Sequence, residues 1–123
     1  MPGAAHLAAG RQAESAAARY LRRRGLRLLE RNFRCRSGEI DLIMRDGDVL
    51  VFVEVRYRAD DRFLDPAATV TPAKQRRLYT AAAAYLARRR LADRTCRFDV
   101  VTLTKRNYRP EFRWVKDAFG QDA

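Results

Sequence analysis

Four carboxylates, Glu14, Glu39, Asp41 and Glu54, occupy places in the chain where a strand or the packing face of a helix normally excludes them. Acidic residues are depleted from strands, and an ionised carboxylate on a buried face costs several kcal/mol unless something pairs with it. Three of the four lie in the stretch GEIDLIMRDGDVLVFVEVRYR, Gly38 to Arg58, in which two apolar runs flank Asp46-Gly47. An Asp-Gly pair between alternating strands is the strongest short hairpin signal. With Asp46 and Gly47 as the turn residues, Arg45 opposes Asp48, Ile43 opposes Leu50, Asp41 opposes Phe52 and Glu39 opposes Glu54. The two-residue period then puts Glu39, Asp41, Glu54 and Arg56 on one face with Ile43, Leu50 and Phe52. Asp41 and Glu54 become diagonal neighbours, their Cβ atoms roughly 6–8 Å apart. Carboxylates ~5 Å apart repel by ~3 kcal/mol at an effective dielectric near ~20, so a cation is required. The expectation depends on the turn, since a one-residue slip sends the set to opposite faces.

Two cations are open to this pair. Arg56, two residues beyond Glu54, could form a structural salt bridge with Glu54 and Asp41. A divalent metal is the other: oxygen ligands with no Cys or His nearby suit Mg²⁺ or Mn²⁺, which bind through one or two carboxylates and keep waters for phosphates. On a helical wheel Glu14 shares an arc with Leu7, Gly10, Ala17 and Leu21, opposite Arg11, Gln12, Ser15, Arg19, Arg22 and Arg23. It either bends out to Arg11 or points across the sheet toward the same ion. Lys74 and Gln75 open the second helix just after the loop that leaves Glu54 and Arg56, as exposed first-turn residues or as part of the site.

The elements that must position these residues follow from local signals. Alanine-rich helical periodicity runs from about Leu7 to Arg24, with Gly25 as a C-cap. LRLLERNFRC reads as a strand, the hairpin supplies two more, and RADDRFLDPAATV has no periodicity. Thr71-Pro72 pairs an N-cap with a first-turn proline and starts a second helix to about Arg90. CRFDVVTLT is an apolar, β-branched strand, and Phe112 to Val115 predicts a short edge strand. The order α-β-β-β-α-β requires a crossover that makes the third and fourth strands parallel, in a mixed α/β sheet flanked by helices. One domain over 1–123 is expected, with 1–6 and 117–123 as loose tails.

Composition narrows the partners. The 123 residues are 47% hydrophobic and 33% charged, with a net charge of +11 and a pI near 10.8. Arginine runs such as RYLRRRGLRLLERNFRCR, KQRR and ARRR attract polyanions, and nucleic acid is the expected partner. Arg11, Arg34, Arg36, Arg58 and Arg76 are candidate phosphate contacts, and Tyr57, Phe63 and Tyr108 either stack on bases or belong to the loop packing. No uncharged apolar stretch is long enough for a membrane span, the N-terminus meets Arg11 and Glu14 too early for a secretory signal, and the alanine-rich helix lacks the bulky face of a membrane-surface helix. A cytoplasmic protein is expected. Cys35, Cys96 and the single His6 form no metal or disulfide pattern.

GEIDLI, DG, LVFVEVRYR, KQRRL, RFDVV and the closing AF, in order and over nearly the whole chain from Gly10, resemble the YraN-like family of small bacterial proteins. That family is similar to archaeal Holliday-junction resolvases and to the restriction-endonuclease-like PD-(D/E)xK superfamily. The resemblance implies an αβββαβ restriction-endonuclease-like core and a Mg²⁺- or Mn²⁺-dependent nuclease centre acting on DNA phosphodiester bonds, with branched or structured DNA as substrate. It further implies a homodimer. By motif, Glu14, Asp41 and Glu54 become the metal set, and Gln75 matches a helix glutamine. Arg56 falls where the superfamily has a lysine. Arginine stays protonated and is a poor proton acceptor, so Lys74 is offered as the substitute. The alternative is a nucleic-acid-binding module that keeps the fold without turnover; a scaffold whose acids serve only in ion pairs is the third reading.

Overall fold

The computed structural model describes residues 2–58, 65–106 and 109–120. Helix α1 (Pro2–Arg23) leads to strands β1 (Arg27–Cys35), β2 (Gly38–Asp46) and β3 (Val49–Arg58), then a 3-10 turn (Pro66–Thr69), helix α2 (Pro72–Arg88) and strands β4 (Cys96–Arg106) and β5 (Arg109–Phe119). Helix α1 is closed off by Gly25, whose φ of +98° lets the Leu26 N–H return to the Leu21 carbonyl. Helix α2 begins as expected, the Thr71 hydroxyl accepting from the Lys74 N–H at 3.2 Å with proline in the first turn. Residues 2–6 lie within α1 and 117–119 within β5, so the segments expected to be loose tails are partly built into elements. The edge strand is correspondingly longer than Phe112 to Val115. Phe63, Tyr108 and the side chain of Leu7 lie outside the described residues.

The sheet order is β1-β2-β3-β4-β5, with β3 and β4 parallel and the other pairs antiparallel. A mixed α/β fold results, as the element order requires. On one face Phe33, Ile40, Ile43, Phe52 and Val100 pack against Leu78, Ala81, Ala82 and Tyr85 of α2. On the other, Leu42, Met44, Val51, Val53 and Val101 pack against Ala17, Ala18 and Leu21 of α1. The central strands feed both cores, which is why their sequences are nearly continuous apolar runs.

The hairpin register differs from the expected one by two residues. Asp46 pairs with Val49, so Gly47 and Asp48 form the turn, and Ile43 faces Phe52 while Leu42 faces Val53. The reason is conformational: Gly47 takes φ +60°, and a II′-type hairpin wants glycine at the first of its two central positions. Asp46 stays in the ladder, its carboxylate held by Arg97 Nη1 at 2.9 Å.

Edge strand β5 is fastened by a buried acid. Asp99, fully buried in β4, accepts from Arg97 Nε at 3.0 Å, Trp114 Nε1 at 3.0 Å and the Asp117 N–H at 2.9 Å. Tyr20 of α1 stacks on Phe112 with ring centroids 4.4 Å apart and meets Trp114 edge-on, which gives both β5 aromatics a packing role. Cys35 and Cys96 are free, half-buried thiols. Among the described residues no helix is long and apolar enough to cross a membrane.

Candidate active site

Residue 32 sets the geometry of the site. In a regular strand Arg31 and Phe33 would share a face. Instead Arg31 Nη2 donates to Ser15 of α1 at 2.9 Å, while Phe33 packs edge-on against Tyr85 of α2. Asn32 between them has φ +53°, in the left-handed region that asparagine tolerates better than most residues, and this reverses the strand's alternation. The β1–β2 register puts Asn32 opposite Asp41, where β2 makes the same switch: Ile40 joins the α2 core and Leu42 the α1 core.

The single acidic face expected from alternation is therefore divided. Glu39 and Asp41 line a cleft of about 240 Å³ on the α1 side with Arg11, Glu14, Asn32 and Arg34. Glu54 lies on the α2 side with Ile43 and Phe52. Yet Asp41 and Glu54 still meet. Beyond the Leu42–Val53 pair their side chains share a hydrogen bond. The ladder stops at that point, and the Asp41 Oδ2 accepts the Val55 N–H at 2.9 Å.

Glu54 is 5% exposed. Burial first, then a hydrogen bond with Asp41 and the charge of Asp41, push its pKa up to about 8, against the opposing charges of Lys74 and Arg56. Lys74 Nζ stands 3.5 Å from Glu54 Oε2, but that buried oxygen has no hydrogen-bond partner among the described residues. Glu14 is also raised above the ordinary carboxylate range, by desolvation and by Asp41. With its nitrogen turned toward the acceptors beside it, the Asn32 amide donates to both Glu14 oxygens, at 3.1 and 2.8 Å. Glu14 thus faces the cleft and Asn32, and its bonded partner is not Arg11. Glu39 pairs with Arg34 across β1 and β2 at 3.2 Å.

Arg56 and Gln75 direct their hydrogen bonds to backbone carbonyls. Arg56 Nη2 donates to the Thr69 carbonyl at 3.1 Å and Gln75 Nε2 to the Val70 carbonyl at 3.2 Å, so both brace the segment that enters α2. Arg36 lines a second, more open groove of about 520 Å³ with Arg34, Ser37, Lys74 and Arg77. Arg58, at the end of β3, and Arg76, exposed on α2, line neither groove.

Among the described residues no three His, Cys, Asp or Glu side chains are gathered tightly enough to hold an ion as they stand. The donor chemistry nonetheless fits a hard divalent cation. Asp41 and Glu54 offer adjoining oxygens, one of them buried and, among the described residues, without a hydrogen bond, and Mg²⁺ or Mn²⁺ needs only one or two carboxylates. Glu14 stands on the cleft wall with Asp41. Sequence reasoning missed Asn32, whose signal was an asparagine inside a strand, and Asp99, whose signal was an aspartate inside the apolar run RFDVV.

A family model described as "Uncharacterised protein family UPF0102" matches residues 13–103. The chain is 52% identical over 120 residues to a UPF0102 protein of Nitrosococcus oceani, covering 97% of each. It is 55% identical over 117 residues to one from Alkalilimnicola ehrlichii, covering 94% of this chain and 90% of that protein. With a Coxiella burnetii relative it shares 50% over 110 residues, 89% of each.

Proposed function

This chain belongs to the uncharacterised protein family UPF0102, and we propose that it is a metal-dependent endonuclease acting on DNA phosphodiester bonds. The observation that carries the reading is the Asp41–Glu54 pair in a protein of net charge +11: Asp41 lines the cleft, and Glu54, buried behind it, has an oxygen with no hydrogen-bond partner among the described residues. Acids so placed are expensive to keep for packing alone. The α-β-β-β-α-β order is compatible with the restriction-endonuclease-like core, in which such a pair belongs on the central hairpin.

In this reading Asp41 and Glu54 hold Mg²⁺ or Mn²⁺, with Glu14 facing the same cleft. A bound divalent ion supplies charge stabilisation at a phosphoryl oxygen and a water of lowered pKa. Arg11 and Arg34, on the cleft rim, attract and orient the phosphate backbone. Lys74 takes the part that a strand lysine would otherwise play, placing a cation beside Glu54 from the first turn of α2. Arg56 holds the Thr69 carbonyl and so fixes the approach to that turn.

The test is incubation of purified protein and Mn²⁺ with four-way junction, flap, single-stranded and linear duplex DNA, beside Asp41→Ala and Glu54→Ala. Cleavage by wild type that both variants lose is the expected result. Identical background from all three overturns the nuclease reading for those substrates. The alternative, a binding module without turnover, draws on the position of Arg56 against a backbone carbonyl. It predicts that wild type retains these DNAs in a binding assay and cuts none.

A further inference from the structure

Tyr57 lines the same cleft as Glu14 and Asp41 and is 44% exposed, one of two large hydrophobic side chains so exposed among the described residues. Among those residues its ring contacts no other ring and its hydroxyl no hydrogen-bond partner. Phe112 and Trp114, by contrast, are packed against Tyr20. Tyr57 shares the cleft, about 240 Å³, with Arg11 and Arg34, so an aromatic face and two phosphate-seeking cations stand together there. A base offers its π-face to an aromatic side chain only when it has left its stack.

The second groove continues from the first, for Arg34 and Glu39 line both. Four cations surround it, Arg34, Arg36, Lys74 and Arg77, and its one carboxylate, Glu39, is already taken by Arg34 at 3.2 Å. Its two walls are held together. A Cβ placed on Gly38 would stand 3.2 Å from the Arg77 carbonyl oxygen, so the turn carrying Arg36 and Ser37 lies directly on α2. This groove offers charge and no aromatic ring, the chemistry of phosphate contact without base reading.

Resting on the reading of the acidic cleft as a nucleic-acid site, we propose that the substrate presents an unpaired nucleotide there. The base stacks on Tyr57, and the strand crosses Arg34 so that its neighbouring phosphates enter the groove of Arg36 and Arg77. The substrate class is then a strand with unpaired nucleotides, such as a fork, flap or gap, in preference to continuous duplex.

The test measures binding in the absence of divalent metal, by fluorescence anisotropy with labelled single-stranded, forked and blunt duplex DNA at several salt concentrations. Forked and single-stranded DNA are expected to bind more tightly than blunt duplex. Tyr57→Ala should weaken the first two by about 5- to 150-fold and change the duplex by less than about 2-fold, with Tyr57→Phe close to wild type. Arg36→Ala and Arg77→Ala should weaken all three, each lowering the salt slope by about 0.7–0.9. Equal losses on every DNA in Tyr57→Ala, no loss, or a Tyr57→Phe as weak as Tyr57→Ala overturns the proposal. If wild type binds DNA and blunt duplex is preferred, this inference alone fails. If it binds no DNA at all, the proposed function fails with it.

Discussion

Lys74 meets Glu54 across the α2–sheet interface, Nζ 3.5 Å from Oε2, so the cation nearest the buried acid comes from a helix and not from the strand that carries Glu54. Arg56, the strand cation, turns to the Thr69 carbonyl. The two positive charges beside Glu54 therefore have separable roles.

On the proposed nuclease reading, Lys74→Ala should lower DNA cleavage by at least about 100-fold, while lowering stability little, because Lys74 is partly exposed. Arg56→Ala should do the reverse. Loss of its hydrogen bond to the Thr69 carbonyl should cost about 1–2 kcal/mol of unfolding free energy, with cleavage less affected. Urea titration beside single-turnover cleavage checks both. Equal behaviour of the two variants contradicts the division.

Glu54 makes stability fall as pH rises. The unfolded chain loses this proton near its ordinary pKa of 4.5, whereas the folded protein keeps it to about 8. Between those values the folded state binds more protons, so unfolding free energy decreases with pH. Glu54→Gln should match wild type at pH 5 and exceed it by roughly 2–4 kcal/mol at pH 9. Urea denaturation at the two pH values decides.

The same proton opposes cation binding. Mn²⁺ affinity should rise with pH until about 8, with proton release on binding, and Asp41→Ala should remove it. Calorimetry in buffers of different ionisation enthalpy detects the proton. Affinity that is flat from pH 6 to 8.5 would sink the linkage.

Asn32 has two duties that substitutions can separate. Asn32→Gly keeps the left-handed backbone and loses the amide bonds to Glu14, so stability should change by less than about 1 kcal/mol. Asn32→Val puts a β-branched residue at φ +53° and should cost about 1–3 kcal/mol. Thermal melts of the two variants compare them directly.

Asp99 is structural. Asp99→Ala strands Arg97 and the Trp114 indole N–H, and should destabilise by about 3–5 kcal/mol, with a change in tryptophan fluorescence that reports loosening of β5. A near-native melt would contradict the role given to this cluster.

Much of the fold was legible because its signals are local. The Thr71-Pro72 cap, Gly25 and the apolar runs act within a few residues of themselves, and the helix between β3 and β4 leaves those strands no arrangement but parallel. The meeting of Asp41 with Glu54 was legible too, since the two-residue shift of the turn kept Glu54 on the face of Phe52, and the two side chains share a hydrogen bond although Asp41 lines the other side. The site was less legible where it depended on one backbone angle. Nothing local requires Asn32 to take φ +53° or β2 to switch faces opposite it at Asp41, yet with both switches Glu39 and Asp41 line the α1 side while Glu54 stays on the α2 side. Nor does residue spacing along β3 reveal that Arg56 prefers a carbonyl.

By itself, then, the sequence determined the order of elements, the mixed sheet, the basic surface and the meeting of two acids on the hairpin, because periodicity, capping and charge are properties of neighbours in the chain. Only the tertiary structure decided which cation reaches Glu54, which side of the sheet each acid serves and which acid fastens β5. Those outcomes depend on where a strand reverses its alternation and what the opposing helix presents there, and both are set by packing between residues distant in sequence.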